Sequence, residues 1–271
     1  MIVYSDLDGC FLDRETYSYD NTIEYAQKII DSDNMLIFCS SKTYEEIYDI
    51  MNNIDRQMPF IVENGGGIYI PNKFNYLKTK KYSVKNNGRL INLTDNNIDI
   101  YNTIKKIRKE TGIEMVTYQD LSINAICTIT GLNKYQAAYA KNRNFSETII
   151  SVLNNCEIKI LESRLNQLNL TCTNGSRYYT IHPNDINKGK AALILFESIK
   201  DMKISNDITI GIGDSSNDES LLSITDISYL LKNKYNQWQD IKGNNIIKID
   251  GIGQLGWIKV YKDISKKFCE I

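Results

Sequence analysis

In the first quarter of this 271-residue chain, apolar runs of strand length alternate with stretches of helical periodicity. Residues 1–4, 35–39 and 60–62 are continuous apolar runs, which are typical of strands buried on both faces of a parallel sheet. Residues 19–30 and 44–51 carry apolar side chains at helical spacing. The order strand, helix, strand, helix, strand predicts an α/β fold with a doubly wound, Rossmann-like parallel sheet. In such sheets ligands bind beyond the carboxyl ends of the strands.

The middle of the chain has a different pattern, in which shorter helical and extended segments alternate. We expect helices at 98–109, 134–143 and 147–153, and strands at 123–129, 157–161, 168–173 and 178–181. The α/β pattern then resumes with a helix at 190–199 and a strand at 208–212. The sequence therefore predicts a Rossmann-like core formed by residues 1–82 and 186–271, with an inserted α+β cap domain at 83–185.

Composition excludes several classes of function. Lys and Arg number 32, Asp and Glu number 33, and the net charge is −1, so there is no basic excess that would indicate nucleic acid as a partner. No apolar run reaches the length of a membrane span. Because an apolar strand begins the sequence, we expect no signal peptide, and the six scattered cysteines predict reduced thiols and no zinc site. We expect a cytoplasmic location.

Two aspartates, Asp6 and Asp8, follow the first apolar run at a spacing of two. Residues two apart on an extended backbone point to the same side, and Gly9 permits a sharp turn after them. Two carboxylates held this close repel each other, so the pair needs a cation, a shared proton, or both. One aspartate could then act as a nucleophile while the other carries a proton. The plain alternative is a polar turn at a strand end.

Three further polar clusters follow at predicted strand or helix ends. Ser40 lies at a helix start, where a hydroxyl and nearby N–H groups suit a phosphate. Lys188 can add a positive charge against phosphoryl oxygens. Asp214 can supply a hard oxygen ligand for Mg²⁺, with Asp218 four residues later. Singly, each of these is better explained as a helix cap or a solvated side chain, and only their combination indicates chemistry.

In this order the four clusters resemble the motifs of the haloacid dehalogenase superfamily of aspartyl phosphotransferases. The resemblance implies that Asp6 is the nucleophile that forms an aspartyl-phosphate and that Asp8 is the general acid and base. It also implies that Ser40 and Lys188 bind the transferring phosphoryl group. Phosphoryl transfer needs mainly positioning and neutralisation of oxygen charge, which these residue types can supply.

The same resemblance implies a cofactor and a type of cap. Mg²⁺ would be held by the Asp6 carboxylate, the Asp8 backbone carbonyl and Asp214, with Asp218 and Asn217 behind them. The inserted segment at 83–185 resembles the type IIB cap of this superfamily. The partner implied is a small phosphorylated substrate, with no nucleic acid and no membrane.

A narrower resemblance concerns residues 39–43, 59–66 and 140–147, which are similar to those of mannosyl-3-phosphoglycerate phosphatases. It implies magnesium-dependent hydrolysis of mannosyl-3-phosphoglycerate, or of a close glycosyl-3-phosphoglycerate, to the glycosylglycerate and phosphate. An arginine fork suits the carboxylate of such a sugar acid, and a carboxylate suits its hydroxyls. The substrate-binding residues implied are Arg143, Ser146, Glu147 and Arg177 in the cap, and Ser41, Lys42, Glu63, Asn64 and Gly65 in the core.

Some residues depart from the family pattern, and two other functions stay open. Cys10 stands where the family usually has Thr, a small side chain in either case. Ser176 and Thr180 stand where a family stretch has Gly and His, which leaves the exact sugar open, and with it hydrolysis of another phosphorylated sugar. A phosphohexomutase of the same fold would return the phosphoryl group to a sugar and release no phosphate. A non-catalytic sugar-phosphate sensor would not need both Asp6 and Asp8. His182, the only histidine, is expected to be structural because Asp8 already supplies the proton.

Overall fold

The computed structural model of the chain describes residues 1–74, 82–94, 98–175, 177–200, 208–243 and 245–268. The strands in these ranges are β1 (Ile2–Ser5), β2 (Met35–Cys39), β3 (Phe60–Val62), β4 (Gly67–Pro71), β5 (Tyr82–Lys85), β6 (Gly88–Asn92), β7 (Glu147–Ile149), β8 (Leu170–Asn174), β9 (Tyr179–Pro183), β10 (Thr209–Gly213), β11 (Ile227–Lys232) and β12 (Ile246–Ile252). The helices are α1 (Ile23–Asp31), α2 (Tyr44–Ile54), α3 (Ile100–Thr111), α4 (Ile123–Thr130), α5 (Lys134–Lys141), α6 (Asn155–Asn166), α7 (Lys188–Lys200), α8 (Glu219–Leu222) and α9 (Gly253–Phe268). None of these helices has the length and apolarity needed to cross a membrane.

Nine strands form one large sheet in the order β12-β11-β10-β1-β2-β3-β4-β6-β5. The strands from β12 to β3 run parallel, whereas β4, β6 and β5 are antiparallel to their neighbours. Near the middle, β1 lies between β10 and β2, with Ile2 opposite Thr209 on one side and Met35 on the other. This confirms the predicted Rossmann-like α/β sheet, and it brings three strand ends that carry polar motifs side by side.

Both faces of the parallel part are buried, which explains its continuous apolar runs. Because side chains alternate along a strand, Val3 joins the apolar cluster under α1, α2 and α9, whereas Tyr4 joins the cluster under α7. Trp257 of α9 is fully buried, and its Nε1 donates a 2.9 Å hydrogen bond to Ser5 Oγ. Helix α9 is therefore anchored at the end of β1, one residue before Asp6.

A second, three-stranded antiparallel sheet has the order β7-β9-β8 and packs against α3 and α6. The helices predicted at 98–109 and 134–143 and the strands predicted at 168–173 and 178–181 agree with α3, α5, β8 and β9. A smaller apolar cluster joins α4 and α5. The middle of the chain, from α3 to β9 (100–183), is thus an α+β unit, as its pattern predicted, and is called the middle unit below.

Two segments predicted as strands are helices. Residues 123–129 lie in α4, where Ser122 Oγ accepts a hydrogen bond from the Ala125 N–H and Gly131 ends the helix in the left-handed conformation. Residues 157–161 lie in α6, which begins with a capping box between Asn154 and Glu157. Short apolar runs do not separate strand from helix, so the capping residues were the more informative signal.

One segment predicted as a helix, 147–153, begins as a strand. β7 pairs with β9, and Ile149 lies fully buried opposite Tyr179. Thr148, Ile149 and Ile150 are β-branched and favour an extended backbone. Pairing with β9, which is distant in sequence, decides the outcome.

Candidate active site

The polar motifs meet at the carboxyl ends of β1 and β10 and the start of α7. Lys188 Nζ lies 2.6 Å from Asp6 Oδ1 and 2.6 Å from Asp218 Oδ1. All three side chains are buried. Asp6 follows β1, and Asp218 ends the turn after β10, so the adjacency of these parallel strands produces the contact. One ammonium group is shared by two carboxylates.

The buried centre holds more acidic groups than basic ones, and this shifts the pKa values of its side chains. Burial raises the pKa of the Asp6 carboxyl well above its usual value, Lys188 opposes this shift, and the charges of Asp218 and Asp214 add to it. Burial alone would lower the pKa of Lys188, but the carboxylates of Asp218 and Asp6 outweigh it and raise that pKa well above its usual value. Lys188 therefore stays charged, and the three acidic groups around it outnumber it.

Asp214 has the features expected of a ligand for a cation. Its Oδ1 is buried and has no hydrogen-bond partner, and burial together with the charge of Asp218 raises its pKa to about 7. Gly9 has a φ of +82°, and a Cβ there would lie 2.4 Å from Asp214 Oδ2, so the turn after Asp8 leaves room for this carboxylate only with glycine. The carboxylate oxygens and the buried negative charge fit Mg²⁺, which prefers oxygen ligands.

Asp218 holds the centre together through both of its oxygens. Its Oδ2 accepts hydrogen bonds from the backbone N–H groups of Asp214, at 3.0 Å, and Ser215, at 3.1 Å. Its Oδ1 accepts from Lys188 Nζ. Asp218 therefore fixes both the loop that carries Asp214 and the lysine that faces Asp6.

Asp8 faces the cleft beside a second lysine. Lys42 Nζ lies 3.1 Å from Asp8 Oδ1 and 3.3 Å from Glu46 Oε1. The Asp8 side chain is 24% exposed, whereas that of Lys42 is 10% exposed. Burial would lower the pKa of Lys42, but Asp8 and Glu46 outweigh it and raise that pKa. Ser40 is buried at the turn below, where its Oγ accepts a 3.2 Å hydrogen bond from the Lys42 N–H.

A cleft lies between the sheet edge and the middle unit, with about 640 Å³ of empty space that includes the part open to solvent. Four cationic side chains line it and only two acidic ones: Arg14, Lys42, Arg143, Arg177, Asp8 and Glu46. An excess of positive side chains around a cleft favours an anionic ligand. The cleft therefore suits a substrate with negative charge beyond the group that reaches Asp6.

The residues predicted to bind substrate fall into two sets. Those that line the cleft are Ser41, Lys42, Arg143 and Arg177. The other five, which do not line it and are buried, are Glu63, Asn64, Gly65, Ser146 and Glu147. Arg143 Nη2 donates a 2.6 Å hydrogen bond to the Ser41 carbonyl and a 2.8 Å hydrogen bond to Ser146 Oγ. Arg143 therefore connects the residues that line the cleft with the buried ones.

Glu63 joins the two units of the chain. Its carboxylate accepts hydrogen bonds from the backbone N–H groups of Asn144, at 2.8 Å, and Phe145, at 2.9 Å, and from Ser146 Oγ, at 2.6 Å. Glu63 is fully buried, so these donors replace the water that its charge would otherwise need. In this structure its role is to fix the loop at 142–146 to the end of β3.

Asn64 and Gly65 continue this junction. Asn64 Nδ2 donates to Thr173 Oγ1 at 3.4 Å, and Asn64 Oδ1 accepts from Asn217 Nδ2 at 3.1 Å. Gly65 has a φ of +101°, and a Cβ there would lie 2.3 Å from the Asn187 carbonyl oxygen. This close approach places the chain before Lys188 directly against the turn after β3.

Glu147 and His182 are buried within the three-stranded sheet. Glu147 Oε1 accepts a 2.9 Å hydrogen bond from the Thr148 N–H, and burial raises the pKa of Glu147 to about 7 despite the nearby Arg143. His182 contacts the Pro183 carbonyl at 2.9 Å and Thr173 Oγ1 at 3.3 Å, and burial lowers its pKa. These contacts agree with the structural role expected of His182.

Tyr17 is a cleft residue that sequence reasoning missed. Its hydroxyl accepts a 2.5 Å hydrogen bond from Arg177 Nη1, and Lys42 Nζ lies 4.9 Å from its ring centre. The ring also packs against the apolar cluster of α4 and α5. Tyr17 lies in a loop with a φ of +57°, where no periodicity or motif marks it. A single aromatic residue in a loop gives no signal of this kind from sequence.

The sequence is similar to those of known proteins. The family model of haloacid dehalogenase-like hydrolases matches residues 3–242. A glucosyl-3-phosphoglycerate/mannosyl-3-phosphoglycerate phosphatase from Methanococcoides burtonii is 32% identical over 268 residues, which cover 98% of this chain and 97% of the relative. A protein of the same name from Persephonella marina is 28% identical over 257 residues, which cover 95% of this chain and 94% of that protein.

Solved structures share the fold at lower identity. Thermoplasma acidophilum 0175 has a TM-score of 0.68 at 16% identity, with 100% of this chain and 98% of that chain covered. A putative HAD/COF-like hydrolase from Plasmodium vivax has a TM-score of 0.67 at 17% identity, with coverage of 98% and 95%. At such identities the likeness concerns the fold alone.

Proposed function

The chain belongs to the haloacid dehalogenase-like hydrolases and is a phosphatase of that family, and we propose that its substrate is mannosyl-3-phosphoglycerate or a close glycosyl-3-phosphoglycerate. The products would be the glycosylglycerate and inorganic phosphate. The observation that carries the proposal is the buried Lys188 between Asp6 and Asp218, together with Asp8, two residues after Asp6, in the lining of a cleft that has four cationic side chains. The names of the two curated relatives support the substrate class.

In the proposed reaction, Asp6 attacks phosphorus in line and the bond from phosphorus to the substrate oxygen breaks. Asp8, at the cleft, donates its proton to that leaving oxygen. Asp8 then takes a proton from water as the water attacks the aspartyl-phosphate, which releases phosphate and restores Asp6. Lys188 and Ser40 would hold the phosphoryl oxygens, and this positioning is the main protein contribution to phosphoryl transfer.

We propose Mg²⁺ as the cofactor, held by Asp6, Asp214 and the Asp8 backbone carbonyl. The support is the unpartnered Asp214 oxygen and the surplus of buried carboxylates. When bound, the cation would neutralise phosphoryl oxygen charge and favour the ionised form of Asp6. Asp218 would keep its present role, because it already positions the loop that carries Asp214. Asn217 would support the same turn through its bond to Asn64.

We propose that the middle unit acts as a cap that excludes water and recognises the glycerate and sugar. Arg143 and Arg177, both on the cleft wall, are suited to the substrate carboxylate. The sequence pattern predicts that this cap spans residues 83–185. The hairpin of β5 and β6 pairs with β4 in the large sheet, which favours a cap that begins after β6, near Leu93.

The test is phosphate release from mannosyl-3-phosphoglycerate, glucosyl-3-phosphoglycerate, sucrose 6-phosphate and mannose 6-phosphate, with and without Mg²⁺. We expect metal-dependent release from at least one glycosyl-3-phosphoglycerate and none from an Asp6→Asn variant. Release from only the simple sugar phosphates would contradict the substrate assignment. Full turnover by Asp6→Asn would contradict the mechanism. Sugar isomerisation without phosphate release would indicate a mutase, and binding without turnover would indicate a sensor.

A further inference from the structure

Cys10 lies in the catalytic centre itself. Its Sγ and a carboxylate oxygen from each of Asp6 and Asp214 lie within 4.8 Å of one another. Cys10 is fully buried and forms no disulfide. Within the part of the chain that the structure describes, this is the one group of three acidic, thiol or imidazole side chains arranged closely enough to share a metal ion.

A second observation at the same place indicates a cation. Asp214 Oδ1 is buried without a hydrogen-bond partner, although a buried carboxylate oxygen normally has one. Lys188 pairs with Asp6 and Asp218 and not with Asp214. The thiol therefore adjoins a carboxylate that has one buried oxygen without a hydrogen-bond partner.

Sulfur changes which metals such a site prefers. Mg²⁺ is bound almost entirely by oxygen, whereas Zn²⁺ and similar soft cations bind thiolate sulfur together with carboxylate oxygen. We propose that Cys10, Asp6 and Asp214 form a site for a thiophilic divalent cation such as Zn²⁺ or Cd²⁺, which overlaps the proposed magnesium site. As the metal–sulfur bond forms, the thiol proton passes to solvent and the metal keeps its oxidation state, so a chelator reverses binding.

The consequence is competition at the nucleophile. A soft cation held by Cys10 and Asp6 occupies the carboxylate that would otherwise attack phosphorus. Such cations should inhibit the enzyme, and Mg²⁺ should weaken their apparent affinity. Only this competition rests on the proposed function, because ligation by sulfur follows from the position of Cys10.

Cys39 provides a matched comparison. It is also fully buried near the centre, but its Sγ faces the Lys188 carbonyl at 3.9 Å, and among the residues that the structure describes it forms no such group with carboxylates. Cys156 is exposed on α6 and tests for binding at the surface. If Cys10 is the soft ligand, then neither of these thiols should matter.

The experiment is a titration of the metal-free full-length protein with Cd²⁺, followed by the ultraviolet charge-transfer absorbance of the cadmium–thiolate bond. We expect a saturable band in the parent protein and in Cys39→Ser and Cys156→Ser. We expect the band to be absent in Cys10→Thr, whose Cd²⁺ affinity by calorimetry should fall at least tenfold. If Cys10→Thr does not fold, judged by circular dichroism, then Cys10→Ser takes its place.

Excess Mg²⁺ should shift the Cd²⁺ titration of the parent protein to higher concentration. A parent protein without the band, or a band that survives loss of the Cys10 sulfur, overturns the inference. The absorbance is read without turnover, so the two proposals fail separately. A missing band beside magnesium-dependent phosphate release rejects only the cadmium site, and a Cys10-dependent band without phosphate release rejects only the proposed reaction.

Discussion

Ser146 Oγ donates a 2.6 Å hydrogen bond to the carboxylate of Glu63 across the junction between the large sheet and the middle unit. Two backbone N–H groups, those of Asn144 and Phe145, donate to the same carboxylate. A fully buried charge is stable only with such partners. The junction therefore depends on the negative charge of Glu63 in one unit and on hydrogen-bond donors in the other. Removal of either should lower the free energy of unfolding.

Glu63→Ala should destabilise the protein more than Ser146→Ala. Loss of the carboxylate leaves two backbone N–H groups and the buried Ser146 hydroxyl without their acceptor, so we expect the free energy of unfolding to fall by about 3 kcal/mol. Loss of the Ser146 hydroxyl leaves the carboxylate its two backbone donors, and Arg143, which also donates to this hydroxyl, keeps its bond to the Ser41 carbonyl, so we expect about 1.5 kcal/mol. Urea denaturation measures both variants. Equal losses would show that the backbone donors contribute nothing.

Tyr17→Phe should weaken substrate binding without abolishing turnover. The hydroxyl orients Arg177 at the cleft, and loss of a hydrogen bond to a charged group corresponds to roughly a tenfold effect. We therefore expect KM to rise about tenfold for the preferred substrate and kcat to change little. Tyr135→Phe is the control, because Tyr135 is 78% exposed on α5. A large fall in kcat with constant KM would contradict a role in binding alone.

Lys188→Met should abolish activity and reduce stability in a pH-dependent manner. It leaves Asp6 and Asp218 buried and near each other without their shared cation, for which we expect a loss of about 3–5 kcal/mol at pH 8. The loss should shrink at acid pH, because burial raises the pKa of Asp6 and its protonation removes the repulsion from the Asp218 charge. Denaturation curves at several pH values in chelator test this. Lys190→Met, two residues further along α7 and exposed, should leave stability nearly unchanged.

Glu147→Gln should stabilise the protein at high pH and not at low pH. The pKa of Glu147 is raised to about 7 from 4.5, so between these values the folded state binds more protons than the unfolded state. Stability contributed by the protonated form is therefore lost as pH rises through this window. Glutamine keeps the acceptor for the Thr148 N–H and carries no charge.

We expect Glu147→Gln to exceed the parent protein by on the order of 2 kcal/mol at pH 8, and to equal it near pH 4. Melting temperatures measured across this range suffice. A parallel pH dependence in both proteins would show that Glu147 is not the group that titrates.

The centre of the site could be predicted because it depends on local order along the chain. Asp6 and Asp214 each follow an apolar run, and parallel strands bring such ends to one edge. Lys188 is the first residue of α7. The helices that were predicted as strands also had local signals, since Ser122 and Gly131 border α4 as caps.

The remaining parts depend on how the middle unit lies against the sheet. The bonds of Glu63 to residues 144–146, the contact of Tyr17 with Arg177, and the position of β7 beside β9 join segments far apart in sequence. Neither periodicity nor motif spacing encodes such contacts. A sequence can indicate that Glu63 is polar at a strand end, but not that the loop at 142–146 uses its carboxylate instead of a ligand.

The pairing of Ile2 with Thr209 has a consequence for synthesis of the protein on the ribosome. β1 can find β2 soon after both emerge, but its other edge stays unpaired until the whole middle unit and α7 have been translated. An apolar strand edge that waits this long is a template for pairing with other chains. We expect nascent chains that stop before β10 to depend on chaperones, while the middle unit can already pack its own core.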